Sequence, residues 1–245
     1  STRSWACPTL SAPLREGDPV SIRPIAAAGI VLTALLATAT PAGAPPYVPE
    51  GLCSHAQPVT IRGSGFIRGT NGPDVIYGSA GPDVIDGRGG DDTICSGAGA
   101  DGVVGGMGAD TVFGGLGPDT VTGGGGKDAI VGEEGGDDLS GGDLDDELFG
   151  GDGADELQGD DADDDLRGGE GADRLAGGAD DDTIFGDEQG DRLIGGSGSD
   201  FLDGDDGNDT VLGGPGNDVQ VAGDQGSDFV AGGDGSNNVW RVAKP

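Results

Sequence analysis

From Ile76 to Val239 an aliphatic residue recurs every nine positions, with one exception and one inserted residue, always two places after an Asp or Asn. Written in rows of nine from Gly69, the chain reads Gly-Thr-Asn-Gly-Pro-Asp-Val-Ile-Tyr (69–77), then Gly-Ser-Ala-Gly-Pro-Asp-Val-Ile-Asp (78–86). The fifth row is Gly-Gly-Met-Gly-Ala-Asp-Thr-Val-Phe (105–113). Seventeen rows run without a gap to Val221, Ala222 is inserted, and two more rows occupy 223–231 and 232–240. Column one is Gly in every row but that of Ser96, and column four is Gly in 15 rows. Column six is Asp in every row but the last, which has Asn237, and column eight is Ile, Val or Leu in every row but that of Gln220. Such a period marks a solenoid, in which each row is one structural unit and its neighbours complete the core.

Columns seven to nine, such as Val75-Ile76-Tyr77, predict a three-residue strand with column eight on one face and columns seven and nine on the other. The eighth column is then the core. Glycine at columns one and four predicts backbone at positive φ, a conformation that lets a loop turn its carbonyl oxygens inward. Aspartate at column six adds a carboxylate oxygen to that set.

Composition changes this picture in one respect. The formal net charge is −33, and residues 69–240 carry 42 acids against five bases, a net −37. Eighteen aliphatic side chains at column eight make a thin core for 172 residues, and low hydrophobicity with high charge by itself predicts a solvated chain. The array therefore needs cations to fold. The same charge excludes nucleic acid and acidic membrane surfaces as partners.

The lead-in has a different character. Residues 25–39 form the one long apolar run, preceded by Arg23 and followed by small residues, with Ala37-Thr38-Ala39 as an A-x-A-like cleavage site. This order is that of a secretory signal peptide, and the run is short for a membrane span, so no span is expected in the mature form. Residues 40–68 read as a Pro-rich linker and N-terminal cap, and 241–245 as a C-terminal tail. Cys7 would leave with the signal; Cys53 and Cys95 would remain, an even count in an oxidising compartment, and are expected to pair.

The array of residues 69–240 resembles the RTX, or haemolysin-type, calcium-binding nonapeptide repeat family, whose signature is G-G-x-G-x-D-x-U-x. The N-terminal arrangement is similar to that of small exported actinobacterial members. The resemblance implies an all-β fold, a right-handed parallel β-roll of 18-residue turns, with odd and even rows on opposite sides and an ion between the loops of row n and row n + 2. It implies Ca²⁺ ligation by Asp74, Asp83, Asp92, Asp101, Asp110, Asp119, Asp128, Asp137, Asp146, Asp155, Asp164, Asp173, Asp182, Asp191, Asp200, Asp209, Asp218 and Asp228. All-oxygen coordination in flexible loops suits Ca²⁺ rather than Mg²⁺, and Zn²⁺ would want Cys or His. Nineteen rows give up to about 17 inter-turn sites, and roughly 17 divalent ions supply about +34, close to the array's own charge.

Column four departs from Gly at Leu144, Ala162, Asp180 and Gln189, and Leu, Ala and Gln do not easily adopt positive φ. The sites around 141–185 are then either lost or completed by the added acids Asp143, Asp145, Asp161, Asp163 and Asp181. Gln220 and Ala222 predict a local bulge. Column nine places Tyr77, Phe113, Phe149 and Phe185 every 36 residues along one outer face, which is either a partner-binding stripe or same-face packing with neighbours such as Val131. Trp240 is expected to cap the last turn.

The single His, His55, lies in the lead-in, and no nucleophile set, P-loop or dinucleotide fingerprint is present. The expected function is that of a secreted, monomeric, non-enzymatic calcium-binding structural or interaction protein with a cell-surface or matrix partner. The competing class is a calcium-dependent accessory module or remnant of an extracellular polysaccharide-active enzyme or RTX toxin.

Overall fold

The computed structural model describes residues 60–221 and 226–240, with the side chains of Val221 and Trp240 set apart. The apolar run 25–39, the Pro-rich linker, Cys7, Cys53, His55, Ala222 and the tail lie outside the described residues, as does the Trp240 ring.

The described residues form 21 strands in two parallel sheets, with no helix among them. Odd rows build an 11-stranded sheet that starts at Ile61–Arg62, and even rows a 10-stranded sheet that starts at Phe66–Arg68. Each strand bonds to the one two rows away, with partners 18 residues apart such as Ile94↔Val112 and Val103↔Val121. Two rows therefore make one turn of a β-solenoid. Beyond the inserted residue the offset becomes 19, as in Val211↔Val230 and Gln220↔Val239. The ladder continues across the insertion.

The strands are longer than the sequence predicts. From Val84–Gly89 to Arg192–Ser197 they run six residues, through columns seven to nine and then columns one to three of the next row. They are shorter at the two ends, with two, three and five residues in the first three strands and three from Phe201–Asp203 onward. Glycine is a poor strand former in general, but here its backbone pairs with the equivalent position one turn away, as in Gly97↔Gly115 and Gly142↔Asp160, so neighbour pairing overrides propensity.

The core follows the eighth column. Seventeen side chains from Ile67 to Val211, one per row, are 0–3% exposed and form one continuous cluster. Ile67 belongs to the turn before Gly69, so residues 60–68 already build the roll. Gln220 takes the same inward place, fully buried, and its side-chain nitrogen reaches the Ala231 carbonyl at 3.4 Å.

On the outer face of the odd-row sheet, Tyr77, Cys95 and Phe113 form a second cluster with Val75 and Val131. Phe185 meets Phe201 with ring centroids 5.6 Å apart, and the Arg167 guanidinium lies 5.9 Å from the Phe185 centroid. Same-face packing with Val131, one of the two sequence readings of this column, is found here.

Candidate metal centre

Columns six, eight and one point into the roll, which puts aspartate, aliphatic side chain and glycine in three adjacent inner ranks. Seventeen column-six aspartates, Asp74 to Asp218, are 0–6% exposed. A carboxylate removed from water this completely needs partners for both oxygens.

One oxygen has them. The backbone N–H of each aspartate donates to Oδ1 of the aspartate one turn later, at 2.8 Å for Asp74 to Asp92, Asp92 to Asp110 and Asp119 to Asp137. The ladder continues to Asp218, whose N–H donates to Oδ1 of Asn237 at 2.9 Å. Asn237 therefore does the same work as the aspartates before it.

The other oxygen divides the array in two. In the fifteen rows from Asp92 to Asp218, Oδ2 is buried with no hydrogen-bond partner. In the first two rows it is satisfied. Thr70 donates to Asp74 Oδ2 from its N–H at 2.7 Å and its hydroxyl at 2.9 Å, and Ser79 does the same to Asp83 Oδ2 at 2.6 and 2.9 Å. Asp74 Oδ1 accepts from the Thr60 hydroxyl at 3.0 Å, and Asp83 Oδ1 from the Gly65 N–H. The sequence reading did not separate these two rows. Its signal was available: only rows one and two have a hydroxyl residue at column two, four places before the aspartate.

Column two also explains the difference in backbone terms. From Arg88 onward it holds positive φ in most rows, including the non-glycine residues Glu133 (77°), Asp160 (80°) and Asp187 (74°). Thr70 and Ser79 are not among the positive-φ residues. In the ordinary backbone region their N–H groups reach back to the carboxylate.

Column one, expected to have positive φ, does not. Its glycine is required by crowding instead. A Cβ on Gly114 would sit 2.7 Å from Asp119 Oδ2 and 2.8 Å from the Gly132 carbonyl oxygen. On Gly105 it would sit 2.5 Å from Asp110 Oδ2 and 2.7 Å from the Gly123 oxygen. A carboxylate oxygen of one row and a carbonyl oxygen of the turn above thus converge on one point. At Ser96, the exception, the buried hydroxyl donates to the Gly114 carbonyl.

The column-four substitutions do not change the loop. Leu144 (φ 76°), Ala162 (93°), Asp180 (74°) and Gln189 (78°) all take the left-handed conformation, which Leu, Ala and Gln disfavour. Ala162 and Asp180 still donate to Ala179 and Ser197, as Gly90 does to Met107. The carboxylates of Asp146, Asp164 and Asp182 keep the same open Oδ2. The added acids lie outside: Asp163 accepts from the Asp181 N–H at 2.9 Å, Asp181 from the Ser199 N–H at 2.7 Å, and Asp145 pairs with Lys127.

Burial, and in most rows repulsion from like-charged neighbours, push these carboxyls up. Asp146, Asp182 and Asp191 rise to about 8, Asp110, Asp137 and Asp164 to about 7, and Asp92, Asp119, Asp128, Asp173, Asp200 and Asp209 to about 6. Asp155 and Asp218 move the same way. Asp74 moves down: burial opposes this, but the bonds from Thr70 and Thr60 outweigh it.

Among the described residues no three Asp, Glu, His or Cys side chains cluster as a conventional metal cage. The donors are instead one carboxylate oxygen per row and peptide carbonyls, a set that suits a hard cation. Such an ion would reverse the upward shifts by supplying the missing partner charge. No helix among the described residues is long and apolar enough to cross a membrane.

The chain matches the family model of the RTX calcium-binding nonapeptide repeat over residues 68–103, 104–139, 140–175, 158–192, 167–202, 185–220 and 220–240. Comparison with curated proteins finds no match. These windows span most of the chain and coincide with the ranks of open aspartate oxygens, and the protein belongs to the RTX calcium-binding nonapeptide repeat family.

Proposed function

We propose that this is a secreted, non-enzymatic calcium-binding structural or interaction protein whose array folds as Ca²⁺ enters between successive turns. The observation that carries the reading is the set of fifteen buried carboxylate oxygens without a partner. Each such orphan costs about 1–3 kcal/mol, and more when charged, so the roll does not satisfy itself. Asp92 through Asp218 at column six would hold the ions, together with carbonyl oxygens of the adjoining turns. Asp74 and Asp83 are already engaged, and Asp228 stands in the terminal rows. The expected number of ions is thus about 15, set by the open oxygens, rather than 17. When bound, Ca²⁺ supplies the positive charge that lets stacked carboxylates remain ionised inside the roll.

Export by the N-terminal apolar run and a Cys53–Cys95 disulfide belong to the same reading. Both suit an extracellular setting, where calcium-binding modules commonly work at dissociation constants of ~10⁻⁴–10⁻³ M. The chain acts as a monomer, and its partner is a cell-surface or matrix component.

Equilibrium dialysis in millimolar Ca²⁺, with circular dichroism on the same samples, tests this. About 15 bound ions and a coil-to-β transition that EDTA reverses are expected. One or two bound ions, or a β-rich spectrum unchanged by EDTA, would overturn it.

A further inference from the structure

The two sheets present unlike outer faces. On the odd-row sheet, outward column nine runs Tyr77, Cys95, Phe113, Val131, Phe149 in register. These positions should be wet, yet Tyr77, Cys95, Phe113 and Phe149 are only 4–8% exposed. On the even-row sheet the same column is ordinary surface, with Val104 47% exposed, and Val84 at column seven is 54% exposed. Both sheets have the same strand spacing and the same ladder, so pairing alone does not explain the contrast.

We propose that a segment of this same chain, the Pro-rich residues 41–52, docks along the aromatic stripe of the odd-row sheet as an extended strap. Three properties support it. The strap reads Pro-Ala-Gly-Ala-Pro-Pro-Tyr-Val-Pro over 41–49, without a charge, and Pro-rich segments in polyproline II form fit aromatic-lined grooves at low entropic cost. Its reach is sufficient. Thr60 is fixed beside the odd-row sheet by its N–H bond to Val75 O. Seven residues from Cys53 to Thr60 span up to about 24 Å, whereas Cys95 is only one strand, about 5 Å, beyond Val75. From Cys53 backward, twelve residues at ~3.1 Å each cover roughly 37 Å, more than the ~24 Å from Cys95 to Phe185. Finally, Cys95 lies inside the stripe, between Tyr77 and Phe113, so a bond to Cys53 would latch the strap where it begins.

Hydroxyl-radical footprinting of the full chain in calcium tests the proposal, with Phe66 and Phe229, 67% and 61% exposed, as references. Phe113 and Phe149 should be modified at least fivefold more slowly than these. In the full-length double variant Tyr47→Asp/Val48→Asp their modification should rise at least threefold, with Phe66 and Phe229 unchanged. Equal rates in the parent chain, or continued protection in the double variant, overturn the strap. A second measurement does not depend on that variant folding. A photo-crosslinking residue placed at Pro46 should join peptides between Cys95 and Phe149; crosslinks confined to the even-row sheet or to a second copy would refute the assignment.

Discussion

Rows one and two of the array have the same aspartate, the same glycine at columns one and four and the same inward aliphatic residue as the rows that follow, yet they are chemically closed. Thr70 and Ser79 occupy both the space and the bonding capacity of Oδ2 on Asp74 and Asp83. From Asp92 to Asp218 that oxygen is buried and open. One hydroxyl in the ordinary backbone region, in place of a residue at positive φ, converts an ion-dependent unit into a self-satisfied one. A repeat protein of this kind can begin its ion-dependent array on one turn that needs no metal, which gives the ion-dependent turns a preformed edge to pair with.

Substitution at the aspartates should separate the two regions most sharply. Asp146→Ala removes an open oxygen from the interior and is expected to abolish about one bound ion and cost about 3–5 kcal/mol in calcium, since the remaining charges lose a buried partner. Asp74→Ala removes only side-chain hydrogen bonds and should cost about 1–2 kcal/mol without altering the ion count. Dialysis and urea midpoints in saturating Ca²⁺ read both; equal ion loss from the two variants would erase the distinction.

Acidity should act on the raised interior carboxyls and on Asp74 in opposite directions. In the metal-free chain twelve interior carboxyls, among them Asp146, Asp182, Asp110 and Asp92, have folded values of about 6–8, above their unfolded value near 4. The folded form then binds more protons, so its stability rises as pH falls from about 8 to 5 and is lost as pH rises through that window. Asp74 is lowered; its contribution is present near neutrality and is lost only as pH falls below the ordinary carboxyl range. Far-ultraviolet dichroism in EDTA should show structure growing on acidification, and carbon-detected NMR titration should give Asp74 the lower midpoint. A metal-free spectrum that is the same at pH 8 and pH 5 would contradict the first expectation.

A conversion tests the cause directly. Ser79→Gly removes the hydroxyl and permits the positive φ that column two has elsewhere, so Asp83 Oδ2 should open. The ion count should rise by about one, with a loss of about 1 kcal/mol when calcium is limiting. The smallest effect is at Leu144. It is half-exposed and holds φ 76°, so Leu144→Gly should relieve left-handed strain and raise the urea midpoint by about 0.5–1 kcal/mol without changing the ion count. A loss of stability there would mean that the Leu144 side chain makes a needed contact.

Much of this was legible in the chain. The eighth column shows as core because its apolar side chain repeats on a fixed period, and all seventeen such residues from Ile67 to Val211 are buried. The sixth column shows as chemistry because a repeated aspartate next to a buried aliphatic has no cheaper explanation. Glycine was harder to read. At column four it marks positive φ in most rows, and Leu144, Ala162, Asp180 and Gln189 accept the same region, since the bonds between turns hold the loop. At column one it marks crowding by oxygens from another row, which no property of the nonapeptide itself reveals.

The sequence alone determined the period, the aliphatic core, the rank of acids and hence the need for cations, because these depend on which side chains recur and how often. Tertiary structure decided how the column-two hydroxyls close two carboxylates, why column one is crowded for a Cβ, and which sheet keeps its aromatic face from water. The last two depend on atoms about 18 residues away, placed there only when one turn closes onto the next.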